Sequence, residues 1–383
     1  SSEAEKDCVR VGSDFWDELF IQGESAFLAY GNIQLKIEKI EKSGSKYRVQ
    51  TAVEQGGKIY PDMPLQVPSS RPDSQSTLQK EQISPDEMKQ LAALGIDYLV
   101  VSGLADHSYI QELKNVFKAE KKPDPWILIK IDSAKMADQV KEYLKEVRGV
   151  YVSRRDLALT ADPAMVPMLT KEIIQFCNEH AKVIVTASEI LGSMRYNPTP
   201  TRAEVSDLAN AVIDGTDALV LAEEISSGPY SERALDVMDK VIKDIEQQTE
   251  VARNWGKVDP AINLEEDAVA YGAFHTARRV GAKAIVCLTV SGNTALKLAS
   301  FRPPVDVIAV TEDEATCRKV SIIRGVDGMT LNKKLNIDQV LVNIYNQLLE
   351  SSWLEEEDLI VFVSVTLSSI SRTDSNLFTV QKL

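Results

Sequence analysis

Histidine and cysteine are scarce, with three and four residues in a chain of 383. Cys8, Cys177, Cys287 and Cys317 lie far apart, with no CxxC and no Cys/His spacing. That leaves no zinc site or disulfide frame in the sequence and points to a reducing compartment. No apolar run approaches the roughly 20 residues that span a bilayer, and the opening SSEAEKDC has no signal-peptide pattern. An intracellular, soluble protein of the cytoplasm or of an organelle stroma such as a plastid's is therefore expected. Positive charge is also in deficit: 43 Lys and Arg against 57 Asp and Glu give a formal charge of −14. This balance excludes nucleic acid and anionic membranes as main partners but leaves room for small anions at local basic sites. There is no internal repeat and no extended low-complexity tract. The chain does not begin with Met, so a processed or incomplete N-terminus is expected.

What the sequence does hold is 44% hydrophobic residues and a length sufficient for two or three domains. From Ala26 to about Val67, IQLKIEKI and YRVQTAVE alternate apolar and polar residues around EKSGSK, the pattern of a half-buried antiparallel hairpin. After the linker PSSRPDSQSTLQKEQ come five short apolar runs separated by helical stretches: DYLVVS, WILIKI, GVYVS, KVIVTA and DALVLA. These read as buried parallel strands, and their spacing of about 25 to 35 residues fits a β/α barrel, in which ~250 residues make eight units. Beyond a charged helix around ALDVMDKVIKDIEQQTE, a second alternation begins. AKAIVCLT, VDVIAVT and LIVFVSV are separated by helices such as NTALKLASF and NIDQVLVNIYNQLLE, as in a separate α/β domain.

Barrel chemistry sits at the carboxyl ends of the strands. Those ends carry Ser102; Lys130 and Asp132; Arg154, Arg155 and Asp156; Thr186 to Ser188; and Glu223 with Glu224. Any one of them could be an ordinary loop residue that keeps the strand end in water. Together, a lysine beside two carboxylates has the ingredients of phosphoryl transfer, in which the carboxylates hold Mg²⁺ while metal and ammonium neutralise the moving charge.

The run NPTPTRAEVSDLANAVIDGTDALVLAEE, from Asn197 to Glu224, closely resembles the pyruvate kinase pattern NPxPTRAExSDVANAxxDGTDAxMLSxE. KVIVTASEILGSM, VYVSRRDLAL and ILIKID resemble the family's VITATQMLxSM, MVARGDLGV and ISKIEN, and IVCLTVSGNTALKLASFRPPVDVIAVT resembles its C-terminal domain. The resemblance implies an α/β fold: an incomplete TIM-type barrel with a small β module and a C-terminal three-layer domain. Residues 1–67 would be the remnant of a β-rich B-type module, 68–250 barrel strands four to eight, and 251–383 the C-terminal domain. It also implies roles. Lys130 would stabilise the transferring phosphoryl group, Asp132 and Asp156 would bind Mg²⁺, and Ser188 would lie near the enolate proton path. Arg154, Arg155, Asp156 and Ser188 would line the substrate, with Glu224 and Ser102 in support. The implied reaction moves phosphate from phosphoenolpyruvate to ADP, with Mg²⁺ (or Mn²⁺) and K⁺ as cofactors if the chain is active. No bound cofactor is the other outcome. Arg202, Glu204, Asp207, Asn210 and Asp214 in the long motif could simply cap helices and tie them to loops, and for Asp207 and Asn210 that role is favoured over chemistry.

The departures from the family pattern weigh against catalysis. Two are survivable: Asp132 is one methylene shorter than the family's glutamate, and Ser188 lacks the methyl of its threonine but keeps the hydroxyl. Arg155 replaces the glycine of RGD in a loop whose backbone amides approach the substrate carboxylate in the family. SFIR becomes Ser102 to Ala105 (SGLA), and SGET becomes Ala222 to Ile225 (AEEI). The first three barrel strands, with the substrate arginine and the monovalent-cation ligands, have no counterpart here. A homo- or hetero-oligomer is expected, with that part of the barrel supplied by a preceding segment or by a partner. The effector turn TKSGRSA of some members is TVSGNTA at Thr289 to Ala295, without both cations, and reads as a structural turn. Ser368 to Ser371 lack glycine-rich loop character. Two readings stand: a structural or regulatory component with a partly degenerate site, which is favoured, and a working pyruvate kinase.

Overall fold

The computed structural model describes residues 20–28, 33–43, 46–59, 65–67, 83–101, 107–158, 160–248, 265–331, 337–351, 353–364 and 377–383. The hairpin pattern becomes strands β2 (Ile33–Ser43) and β3 (Lys46–Gln55), paired antiparallel. With β1 (Ser25–Leu28) and β4 (Leu65–Gln66) they form a four-stranded sheet in the order β3-β2-β1-β4. A register shift between Ile37 and Lys39 bends this ladder. The extra residue turns Ile40 onto the same core as Leu35 and Ile37, despite its even spacing from neither.

All five apolar runs of the middle region form parallel strands in sequential order. They are β5 (Tyr98–Val101), β6 (Trp126–Ile131), β7 (Gly149–Ser153), β8 (Val183–Ala187) and β9 (Ala218–Val220). The connecting helices are α1 (Pro85–Leu94), α2 (His107–Ala119), α3 (Ala134–Tyr143), α4 (Arg154–Leu157), α5 (Val166–Glu179), α6 (Arg202–Asp214), α7 (Glu223–Ser226) and α8 (Ser231–Gln247). Caps set their boundaries. Ser84 and Glu87 make a reciprocal capping box before α1, and Thr201 and Glu204 make another before α6. Both faces of the sheet are apolar, which is why the strands read as continuous hydrophobic runs. Ile127, Ile129, Ile131, Val150, Val152 and Ile184 pack together with helix residues such as Ile110, Met136 and Ile174. Trp126, Leu128, Val183 and Val185 point the other way and merge with the core of the C-terminal domain. Among the described residues the sheet is open, with β5 and β9 at its edges.

The C-terminal domain comprises α9 (Glu265–Val280), β10 (Ala284–Leu288), α10 (Asn293–Ser300), β11 (Asp306–Thr311), α11 (Glu314–Val320), β12 (Val326–Thr330), α12 (Ile337–Glu350), β13 (Leu359–Ser364) and β14 (Leu377–Lys382). Its sheet order is β12-β11-β10-β13-β14, parallel except for the last pair. Ile285, Cys287, Val307 and Val361 face one helical layer, while Val286, Ile308 and Phe362 face Ile344 and Leu348 on the other. This is the expected three-layer arrangement. Strands β12 and β14 were not anticipated from the sequence. Cys177, Cys287 and Cys317 are free thiols, and burial pushes the Cys287 thiol up to about 12. Cys8 and the loop at Ser368 to Ser371 lie outside the described residues.

Several contacts join the barrel sheet to the C-terminal domain, among them Arg318 with Asp97 at 2.9 Å and the two that follow. Arg302 Nη1 meets Asp217 Oδ1 at 2.7 Å, with the side chains only 6% and 3% exposed. Its other nitrogen, Nη2, donates to Asn178 Oδ1 and to the Gly215 carbonyl. At the second tie the Thr289 to Ala295 turn presses on the sheet. Gly292 adopts φ +85°, and a Cβ there would stand 2.6 Å from the Trp126 ring. The turn is closed by Gly292 N donating to Thr289 Oγ1 at 2.9 Å, as a structural strand-to-helix connection requires. Among the described residues no helix is long and apolar enough to cross a membrane.

Candidate active site at the carboxyl ends of the barrel strands

Strand alternation decides where Lys130 goes. It follows Trp126 and Leu128 at two-residue steps along β6, so it emerges on their face at the strand's carboxyl end. There its Nζ lies 2.7 Å from Asp156 Oδ2, with both side chains largely buried. Asp156 is the third residue of α4, the short helix that opens directly from β7. Ser153, the last residue of β7, donates its hydroxyl to the same Asp156 oxygen at 2.7 Å. Burial alone pushes the Asp156 carboxyl up. The hydrogen bonds from Lys130 and Ser153, with the charges of Lys130 and Arg155, outweigh it and hold the group below the ordinary carboxylate range.

Ser188 joins this group from β8. Its Oγ lies 3.3 Å from Ser153 Oγ. The single Ser153 proton goes to an ionised acceptor, so Ser188 is the donor to Ser153 and the chain runs Ser188 to Ser153 to Asp156. Ser188 and Glu189 both adopt left-handed backbone, at φ 70° and 55°. Two consecutive non-glycine residues in that region are strained and hold only where neighbours impose the turn. Arg154 imposes it: Nη2 donates to the carbonyls of Ser188 at 2.9 Å and Glu189 at 3.3 Å, while Nη1 grips both oxygens of Asp207 at 2.9 and 2.7 Å. Arg154 is thus occupied in holding the loop.

Arg155 turns the other way, with Nη1 3.2 Å from Glu223 Oε1, and Arg195 takes the second Glu223 oxygen. Glu224 is buried and folds back to accept the Ala222 amide at 2.8 Å. Asp132 sits between β6 and the Ser133 cap of α3, next to β7 in register through the Ile131–Val152 pair. Ser102 lies outside the described residues. The structure therefore brings Lys130, Asp156 and Ser188 into one hydrogen-bonded group. It places Asp132 at the neighbouring strand end and gives Arg154 and Arg155 to separate carboxylates.

Among the described residues no group of three or more His, Cys, Asp and Glu is placed to hold a metal ion. Asp132 and Asp156 are the carboxylates that could do so. Two hard oxygen donors, completed by waters and substrate oxygens, suit Mg²⁺.

Ser153 and Arg195 were not anticipated as site members. The S-x-x-D spacing from Ser153 to Asp156 carries a local signal for the first, but nothing local links Arg195 to Glu223. Three residues of the long motif tie neighbouring elements together. Asp207 holds Arg154, Asp214 holds Lys171, and Glu204 accepts the Ser193 amide at 2.6 Å as well as capping α6.

The family model for the pyruvate kinase barrel domain matches residues 3–235, and that for the pyruvate kinase alpha/beta domain matches residues 267–380. The chain is 29% identical over 348 residues to a pyruvate kinase of Staphylococcus saprophyticus, with 90% of this chain and 58% of that protein covered. It is 30% identical over 347 residues to one of Staphylococcus epidermidis, covering 89% and 58%. It therefore spans 58% of the length of these curated relatives. Among solved structures, a pyruvate kinase from Cryptosporidium parvum shares the fold at TM-score 0.78 and 23% identity, over 96% of this chain and 74% of that one. With both domain models matched in order along most of its length, the chain belongs to the pyruvate kinase family.

Proposed function

We propose that this chain is a pyruvate-kinase-like protein with a partly degenerate site, serving as a non-catalytic structural or regulatory component of a larger assembly. The observation that carries this reading is Arg155. It stands where the family pattern has glycine, and its guanidinium is drawn over the strand ends to Glu223, itself a replacement for the glycine of SGET. On this view the large Arg155 side chain crowds the loop whose backbone amides approach the substrate carboxylate in the family, and its pairing with Glu223, shared with Arg195, supports that reading. In this reading the chain divides into a β module over 1–67, barrel units over 68–250 and the C-terminal domain over 251–383. The rest of the assembly covers the β5 and β9 edges, because open edges of a parallel sheet are aggregation-prone.

The second reading, an active pyruvate kinase, is favoured by the Lys130–Asp156–Ser153–Ser188 group. In it Asp132 and Asp156 hold Mg²⁺, which supplies charge neutralisation for the moving phosphoryl group. Lys130 then adds the ammonium contact, and Ser188 has its hydroxyl already aligned on a hydrogen-bonded path. A coupled lactate dehydrogenase assay with phosphoenolpyruvate, ADP, Mg²⁺ and K⁺ separates the two. The non-catalytic reading expects a rate far below that of ordinary enzymes, and turnover near the ~10 s⁻¹ common for enzymes overturns it.

A further inference from the structure

At the opposite end of the sheet from Lys130, residues just before strands β6, β7 and β8 face the C-terminal domain across a cavity of about 490 Å³. Five cations line it: Lys114, Lys145, Arg148, Lys182 and Lys319. Register explains their meeting. Gly149 pairs with Val183, so Arg148 and Lys182, each one residue earlier, stand side by side at the strand starts. Lys319 comes across from α11.

Their partners are neutral. Lys114, Lys182 and Lys319 donate to the carbonyls of Glu146, Val147 and Asp124 at 2.7, 2.9 and 2.6 Å, and Arg148 donates to Asn293 Oδ1. Among the described residues none of the five forms an ion pair with a carboxylate. The cavity has only three acids, Asp124, Glu146 and Asp313. Asp313 is already engaged as the cap of α11, accepting the Thr316 amide and hydroxyl at 2.9 and 2.8 Å. In a chain with a formal charge of −14 this surplus of cations is the reverse of the average surface.

We propose that this interdomain cavity binds a small phosphate-bearing anion, clamped between Arg148 and Lys182 of the barrel and Lys319 of the C-terminal domain. Cations converging from several elements suit a tetrahedral dianion with oxygens on every side, and a guanidinium adds a forked contact. The volume suits a small metabolite, and a half-open cleft with walls from two domains is too narrow for a duplex or a membrane surface. The crowding of buried cations has a cost that the nearby acids offset only in part. Burial, then the Arg148 charge, lower Lys182 to about 8, with Lys114 adding to the effect and Cys177 opposing it; burial also lowers Arg148, and it lowers Lys319 against the opposing charges of Asp313, Asp97 and Asp124. A bound dianion relieves this repulsion.

Calorimetry and thermal shift on the full chain with inorganic phosphate, pyrophosphate and a hexose monophosphate, against NaCl at matched ionic strength, test the site. Saturable binding is expected, weakened at least tenfold by Lys182→Met and by Arg148→Met, and several-fold by Lys145→Ala, whose exposed side chain puts folding at no risk. Lys130→Met, at the other end of the strands, should leave affinity unchanged. With sulfate, whose charge is constant from pH 7 to 9, wild-type affinity should fall as Lys182 deprotonates, and Lys182→Met should flatten that fall. Tighter binding of the hexose phosphate marks an organic phosphate as the ligand, and equal binding marks free phosphate. No effect beyond NaCl, wild-type binding by both Lys182→Met and Lys145→Ala, or loss through Lys130→Met alone overturns the proposal.

Discussion

Lys130 Nζ and Asp156 Oδ2 are 2.7 Å apart, and the same oxygen accepts the Ser153 hydroxyl. The pair ties β6 to the helix that opens from β7, so its charge state bears on stability as well as on chemistry. Asp156 is held below its ordinary range, so the stabilisation is fully present above the unfolded carboxylate value of about 3.9. It is lost as pH falls through the lower folded value. Urea unfolding between pH 7 and pH 3 should show the wild type losing stability on acidification more steeply than Asp156→Asn. At pH 7 that variant should cost about 1–3 kcal/mol, because Lys130 keeps its burial without its counter-charge. Parallel pH curves for the two proteins would refute the assignment.

Lys130 also competes with any cation for Asp156. A metal that uses Asp132 and Asp156 must displace or share the lysine's hold on Oδ2. In a Mn²⁺ titration followed by calorimetry, Lys130→Met should bind at least tenfold more tightly than wild type. Asp156→Ala should abolish binding in either background. Equal Mn²⁺ affinity in wild type and Lys130→Met would show that the ion pair does not guard these carboxylates.

Gly292 and Trp126 set a steric limit at the domain boundary. The glycine has φ +85°, and an added Cβ would meet the indole at 2.6 Å. The ring is rigid and only 4% exposed, so it has little room to retreat. Gly292→Ala should therefore lose about 2–4 kcal/mol, from left-handed backbone strain and overpacking together. Denaturant unfolding measures the loss, and Trp126 fluorescence should shift in the folded state. A loss below about 0.5 kcal/mol, the range of an ordinary surface change, would contradict the contact.

The sequence signals that were readable are those in which burial repeats along the chain. Strands β5 to β9 stand out because both their faces are apolar, and β10, β11 and β13 because helices cover both sides. Strand β12 was hidden: Val326–Thr330 carries Asp327 and Gly328, and only Val326 and Met329 are buried. Strand β14 was hidden because Leu377–Lys382 is mostly exposed and adds antiparallel at the sheet edge. Lys130, Asp156 and Ser188 could be picked out because strand ends and the family-like runs ILIKID, VYVSRRDLAL and KVIVTASEILGSM coincide there. The Arg155–Glu223 pair spans 68 residues and the Arg154–Asp207 pair spans 53, distances at which no local pattern survives. The cation cavity was invisible for the same reason, since parallel register alone places Arg148 beside Lys182.

Arg302 and Asp217 form the most deeply buried ion pair joining the two domains among those described, and its energetics should be cooperative. Asp217 Oδ2 also accepts the Ile184 amide at 2.9 Å, so the aspartate is wired into β8, while Arg302 reaches Asn178 and Gly215 besides. Removing one partner leaves the other charge in a site with almost no water. Asp217→Asn or Arg302→Met alone should each cost about 3–5 kcal/mol. Once one charge is gone, the second substitution removes a liability rather than a contact. The double variant should therefore cost less than the two singles combined, with a coupling of about 2 kcal/mol, within the 0.5–3 kcal/mol seen for contacting residues. Denaturant unfolding of the four proteins gives this cycle directly. Strict additivity across the four proteins would show that the two charges do not act as a pair, leaving the apolar cluster around Trp126 and Val185 and the remaining polar contacts to hold the domains together.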